Sequence, residues 1–288
     1  MKHFRWILPT LIALSTAVFA DVHPLATAVS LYAQHMPGKL SVCYIDLASG
    51  DYFGFHDGLK LNPASVIKVP VMAAAYYYVD RGQLSLDDRI TLGAKDKLWG
   101  SGVLVYQKPG QSYTLRALIE LMITQSDNTA TRMVIRHIGI ADINHAFSAM
   151  ELTNTRLGTS NLLQAQGLNY TTALDMSTLL ARIAKEELIS PAASKDMMGV
   201  LSRQKIRWGI PSGLPRSVAV ANKTGSLTGI RSDCAVVMAA PQPYILTVMT
   251  QNMPNNQRAK QAVIEISEMA YRFASTVPSR LGLHWSLN

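Results

Sequence analysis

Apolar and polar positions along the chain fall into runs of two different periods, and these runs divide it into elements. Pro24 to His35 has helical spacing and is closed by Pro37-Gly38. Leu40–Leu47 and Tyr52–His56 read as a hairpin around Ser49-Gly50-Asp51, a turn composition. Residues 62–203 read as mainly helical. Thr114 to Gln125 carries Leu115, Leu118, Ile119, Met122 and Ile123 at i, i+3, i+4, i+7 and i+8, which predicts an amphipathic helix. Thr129 to His137 predicts another, ended by Gly139. Ser217–Asn222, Arg231–Ala240 and Pro243–Asn252 read as strands, with short turns at Gly225–Gly229 and Pro241-Gln242. Gln257 to Phe273 closes the pattern as a helix with Ala259, Ala262, Val263, Ile266, Ala270 and Phe273 on one face.

Strands from both ends of the chain, joined late by hairpin-length turns, predict one antiparallel sheet. The fold class is α/β in the α+β sense. It is a five-stranded antiparallel sheet covered by the two terminal helices, with an all-helical lobe over about 62–203 inserted between strands. A site belongs in the cleft between lobe and sheet. With 288 residues, 48% of them apolar, the chain can bury a large core, and no repeat or linker divides residues 21–288.

The formal charge is +8, but lysines and arginines are scattered. A nucleic-acid partner needs a clustered basic stripe and is not expected. Lys2 and Arg5 precede an apolar stretch, Trp6 to Phe19, and Val18-Phe19-Ala20 suits a cut before Asp21. Residues 1–20 therefore read as a signal peptide, with an uncleaved anchor as the alternative. The stretch is short for a membrane span, which needs roughly 20 apolar residues. The mature chain, two charges less basic, is expected to be periplasmic or secreted, without a membrane span, and monomeric.

Three motifs carry chemistry. In Asn62-Pro63-Ala64-Ser65-Val66-Ile67-Lys68, Asn62 is a good N-cap and Pro63 a good first helical residue. Ser65 then lies in a first helical turn, where free N–H groups favour developing negative charge. Lys68, three residues on, shares its face, and Val66 through Val79 is apolar apart from that lysine. A desolvated lysine has a lowered pKa and can take the serine proton. Pro70 should kink the helix near the site. A bare S-x-x-K is weak evidence: Ser202-Arg203-Gln204-Lys205 repeats it without the cap or the apolar run. Ser126-Asp127-Asn128 after the amphipathic helix and Lys223-Thr224-Gly225 at a strand end change the odds. A given tripeptide arises by chance in roughly a few per cent of chains this long.

In this order the three motifs are those of class A β-lactamases and penicillin-binding proteins. From about residue 40 to 275 the sequence resembles that family, including Gly100-Ser101-Gly102-Val103-Leu104 and Pro109-Gly110. The resemblance implies that Ser65 attacks an amide carbonyl, with Lys68 as base and Ser126 relaying a proton to the leaving nitrogen. Asn128 would hold the substrate's side-chain amide. Lys223 and Thr224 of the Lys223-Thr224-Gly225-Ser226 stretch would bind its carboxylate. The N–H groups of Ser65 and Ser226 would form an oxyanion hole. Arg231 is either a second cation for the carboxylate or a plain surface arginine. Substrates would be β-lactams or peptidoglycan stem peptides, and no cofactor is required. The family's sheet order would set Cys43 and Cys234 two strands apart, about 9–10 Å, so free buried thiols are expected.

The sequence departs from the family in one place. Efficient class A enzymes carry a water-activating glutamate in the loop matched here by Leu152–Leu174, which contains no acid. Glu151 and Asp175 flank it, and Asn161, Gln164, Gln166 and Asn169 supply its polar groups; an amide can orient water but cannot take its proton. Acylation should survive while hydrolysis of a β-lactam acyl-enzyme is slow. This favours a D,D-peptidase-like role. A β-lactamase with another base, or a sensor acylated once, are the alternatives. The seven histidines lack metal spacing and no G-x-S-x-G elbow exists, which argues against a zinc enzyme or an α/β-hydrolase. The Tyr76-Tyr77-Tyr78 run and the thirteen methionines are read as packing, and Asp127 as a turn-former.

Overall fold

The computed structural model describes residues 23–164, 167–239 and 242–276, so the leader and Gln166 lie outside the described residues. Its elements in chain order begin with α1 (His23–Ala33), β1 (Lys39–Asp46), β2 (Tyr52–Phe55), α2 (Lys68–Asp80), β3 (Arg89–Thr91) and β4 (Ser112–Thr114). They continue with α3 (Leu115–Thr124), α4 (Asn128–Ile138), α5 (Ile140–Ala149), α6 (Ala173–Ala184) and α7 (Pro191–Ser202). The last are β5 (Ala219–Leu227), β6 (Ile230–Met238), β7 (Tyr244–Gln251) and α8 (Asn256–Thr276).

β2-β1-β7-β6-β5 is an antiparallel five-stranded sheet. Alternate residues of its strands feed two separate cores. Val42, Tyr44, Val237, Leu246 and Val248 pack with Leu25 and Val29 of α1 and Val263, Ile266 and Ala270 of α8. Cys43, Ala221, Val236 and Ile245 point the other way, into a larger core shared with α2 through α7. Burying a leucine- or valine-sized side chain contributes about 1.5–3 kcal/mol, so this second core fixes the lobe against the sheet. The lobe is helical apart from the β3–β4 ribbon, whose three-residue strands are too short to show an alternating pattern.

Both terminal helices and the amphipathic α3 form where the periodicity places them. Thr114 caps α3 by accepting from Ala117 N at 3.1 Å. Gly139, at φ +96°, ends α4. Two expectations need correction. β5 does not stop at Asn222: it pairs with β6 through Leu227, so Lys223, Thr224 and Gly225 lie within a strand and the turn shrinks to Thr228-Gly229. The glycine in that run made a turn look more probable than a strand. Pro70 falls in the first turn of α2, where a missing N–H costs no helical bond, so the anticipated kink has no cause. Cys43 and Cys234 are free and buried, each opposite Thr247 of the intervening β7.

Candidate active site

Asn62 Oδ1 accepts from Ala64 N at 3.0 Å and sets up a 3₁₀ turn, Ala64–Ile67, that leads into α2. Ser65 thus sits in a 3₁₀ turn, and not in the α-helix proper. Residues i and i+3 eclipse in this geometry, which stacks Ser65 on the same side as Lys68. Ala64 takes φ +46°, an uncommon value for a residue with a side chain. The turn is held there from outside by β5. A Cβ on Gly225 would meet Pro63 O at 2.7 Å and Ser65 N at 3.1 Å, so only glycine lets the strand come this close to the serine's backbone.

Lys68 is fully buried. Its Nζ lies 2.6 Å from Ser126 O, 3.0 Å from Ser126 Oγ and 2.8 Å from Asn128 Oδ1, and Ser65 is not among its partners. Lys223, also fully buried, donates to Thr224 O at 2.7 Å and to Ser126 Oγ at 3.0 Å. One hydroxyl therefore sits between two amines. Burial pushes Lys68 well below the usual lysine range, and the charge of Lys223 pushes it further. Burial also lowers Lys223, to about 8, with Asp233 opposing the shift.

The middle motif is positioned by its own aspartate. Asp127 is buried and accepts from Val103 N at 2.6 Å, Leu104 N at 2.9 Å and Ala130 N at 2.8 Å. It caps α4 and ties down the 100–104 loop, a structural role in line with its reading as a turn-former. Gly102 belongs to that arrangement, since a side chain there would collide with Asp127. Ser126 itself holds φ +55°. Asn128 Nδ2 donates to Trp99 O at 2.9 Å, joining the same loop to the site.

These groups open onto a cleft of about 260 Å³ between lobe and sheet. Ser65, Ser126, Asn128, Thr224 and Ser226 line it, and Lys68 and Lys223 lie behind its wall. Five contributors were not anticipated: Leu162 and Leu163 from the 152–174 loop, Ile206 and Trp208 from the segment before β5, and Leu227 at the end of β5. Nothing in their spacing signals a site, because they act by shape. Arg231 is not brought to the cleft wall. Its Nη1 donates to Leu227 O and Ile230 O, both at 2.8 Å, and its guanidinium lies 5.7 Å from the Trp208 ring centre. The carbonyls of its own hairpin capture it. The decoy motif is structural as well: Gln204 Nε2 donates to Ile123 O at 2.8 Å, bracing α3.

Comparison with known proteins identifies the family. The model of the "Beta-lactamase enzyme family" matches residues 24–274. A β-lactamase of Bacteroides uniformis is 28% identical over 242 residues, covering 77% of this chain and 82% of that one. The structure of PBP-A superposes with a TM-score of 0.83 at 28% identity, covering 88% of this chain and 96% of the other. A β-lactamase of Sphaerobacter thermophilus superposes at 0.82 with 28% identity, covering 90% and 99%. A cleft-lining serine one turn from a buried lysine, a strand of lysine, threonine and glycine pressed against that turn, and a family match over most of the chain lead to one conclusion: the protein belongs to the β-lactamase enzyme family and is a serine hydrolase of the β-lactamase type.

Proposed function

We propose that this hydrolase forms an acyl-enzyme through Ser65 with β-lactams and with peptides ending in D-alanyl-D-alanine, and that it releases a β-lactam acyl group slowly, as a D,D-peptidase does. Neutral Lys68 has two N–H groups, which go to Ser126 O and Asn128 Oδ1, and a lone pair for a proton. Ser65 Oγ attacks the carbonyl carbon as its proton passes to Lys68. The oxyanion forms against the N–H groups of Ser65 and Ser226. When the C–N bond breaks, Ser126 gives its proton to the nitrogen and regains one from Lys68. Charged Lys223 and the Thr224 hydroxyl hold the substrate carboxylate, and Asn128 its side-chain amide. The leader pattern of residues 1–20 puts this chemistry outside the cytoplasm, where wall peptides are met.

One observation carries the preference for slow release: among the described residues no carboxylate lines the cleft, and the loop that faces Ser65 presents Leu162 and Leu163. Both acids flanking that loop are unsuited to the task. Asp175 accepts from Asn154 N at 2.9 Å and Thr155 Oγ1 at 2.7 Å, and Glu151 is exposed near Arg182. PBP-A, with a TM-score above 0.8, supports the reading, and a variant of it has been captured as an acyl-enzyme with penicillin G. The second reading, a β-lactamase with another base, is favoured by the names of the sequence relatives. The test is to label the protein with a fluorescent penicillin beside Ser65→Ala and to follow the loss of label. Stable label on the intact protein alone is expected. Loss within seconds favours the β-lactamase, and absence of label refutes acyl transfer.

A further inference from the structure

A second cavity lies outside the cleft, is larger than it, and shares no lining residue with it. It measures about 830 Å³ and lies where the segment before β5 meets the first residues of that strand. Arg207 and Arg216 line it, with hydroxyls from Ser212 and Ser217 and no acid among the described residues. From Met197 to Ser232 the chain carries Arg203, Lys205, Arg207, Arg216, Lys223 and Arg231 and not one aspartate or glutamate. Arg203 is paired with Glu120 and Lys223 is buried in the cleft wall. Arg207 and Arg216 are both exposed and have no ion pair among the described residues. The loop that presents them is fixed: Ser212 Oγ donates to Arg207 O at 2.8 Å, Ile210 N to Asp233 Oδ2 at 2.8 Å, and Ser267 Oγ to Ile210 O at 2.8 Å.

The other wall is a sheet edge. β5 ends the sheet, so one side of its backbone has no neighbouring strand. Asn222 O accepts from Gln204 Nε2 at 3.3 Å on that side. In an antiparallel strand the backbone groups alternate sides, which turns those of Val220 toward the cavity as well. Val218 N is occupied by Pro215 O at 3.0 Å, and Val218 and Val220 both line the cavity. Gln204 therefore occupies the edge beyond Val220. An exposed sheet edge pairs with an extended chain, and arginines pair with carboxylates.

We propose that this cavity is a second binding site, in which a short, extended, carboxylate-bearing peptide lies along the open edge of β5 with its acidic groups on Arg207 and Arg216. A strand rises about 3.3 Å per residue, so the edge from Val218 to Val220 runs roughly 7 Å and pairs with about three residues of a bound peptide. The site does not depend on the acyl-transfer reading, because none of its residues belongs to the cleft. The test uses the intact protein and fluorescein-labelled tetraglutamate in an anisotropy titration at low salt. Saturable binding is expected, weakened about tenfold in the double variant Arg207→Ala, Arg216→Ala and unchanged in Lys223→Gln. Tetraglutamate with N-methylated amides, equally charged but unable to pair as a strand, is expected to bind far more weakly. Melting curves of the variants establish that they fold. Absence of binding, equal binding by the double variant, or equal binding of the N-methylated peptide or of tripolyphosphate overturns the proposal.

Discussion

Replacing Lys223 by glutamine separates the two lysines that share Ser126. The Lys223 charge is one of the causes that hold Lys68 below the usual lysine range, so its removal raises the Lys68 pKa. Acylation needs neutral Lys68; its rate falls on the acid side as that amine gains a proton, and this limb is expected to move to higher pH in Lys223→Gln. The alkaline limb has the opposite origin. Lys223 titrates at about 8, and above that pH it loses the charge that holds the substrate carboxylate. Wild-type acylation should decline above about pH 8, and the variant should show no such decline. A charge-assisted hydrogen bond contributes about 1.5–3 kcal/mol, so the plateau rate is expected to fall roughly 10- to 150-fold as well. Second-order acylation rates with a chromogenic β-lactam, measured from pH 5 to 10, give both limbs. An acid limb that stays in place would refute electrostatic coupling between the lysines, whatever happens to the plateau.

Leu162 is buried and lines the cleft beside Ser65, so Leu162→Glu puts a carboxylate where water must be activated. Release of a bound penicilloyl group should accelerate by about 10²- to 10⁴-fold, read as label half-life, with a lower melting temperature from the lost apolar burial. Asp127→Ala strands two buried N–H groups, at Leu104 and Ala130, and a part-buried one at Val103, and should destabilise by about 3 kcal/mol in urea titration. Asp233 is buried with its pKa raised to about 7, so the folded state holds its proton more tightly than the unfolded chain. Its contribution is present below about pH 4 and is lost as pH rises through 7; Asp233→Asn should flatten that part of the melting-temperature profile.

The fold was legible where period and burial coincide. Leu115, Leu118, Ile119, Met122 and Ile123 mark one face of α3, and all five are buried. The site was legible through residue type, because buried lysines and a glycine under steric pressure leave signatures in sequence. Lys68 stood alone in an apolar run, and that is the environment it occupies. What sequence could not show depends on three-dimensional neighbours. Leu162 and Trp208 line the cleft, yet each reads in sequence as an ordinary apolar residue. Arg231 follows the right strand turn, yet nearby carbonyls capture its guanidinium. β5 looked too short because Gly225 reads as a turn residue. Its actual constraint is the approach of Pro63 O, which lies 162 residues earlier in the chain and is invisible to a local reading.

The same lysines that make the site reactive make it costly. Bringing Lys223 from its ordinary range down to about 8 corresponds to about 3 kcal/mol against the charged form at neutral pH. A depressed lysine pKa means that stability should rise as pH climbs from about 8 toward the unfolded value, while acylation declines over the same interval. Stability and activity therefore run in opposite directions on the alkaline side. Two lysine-to-methionine replacements would be expected to raise the melting temperature at pH 7 and abolish labelling, since methionine fills the same space without a charge to desolvate. If both replacements instead lowered the melting temperature at every pH, the lysines would be serving as structural hydrogen-bond donors to Ser126 and Asn128, and the argument that their burial is a functional cost would be wrong.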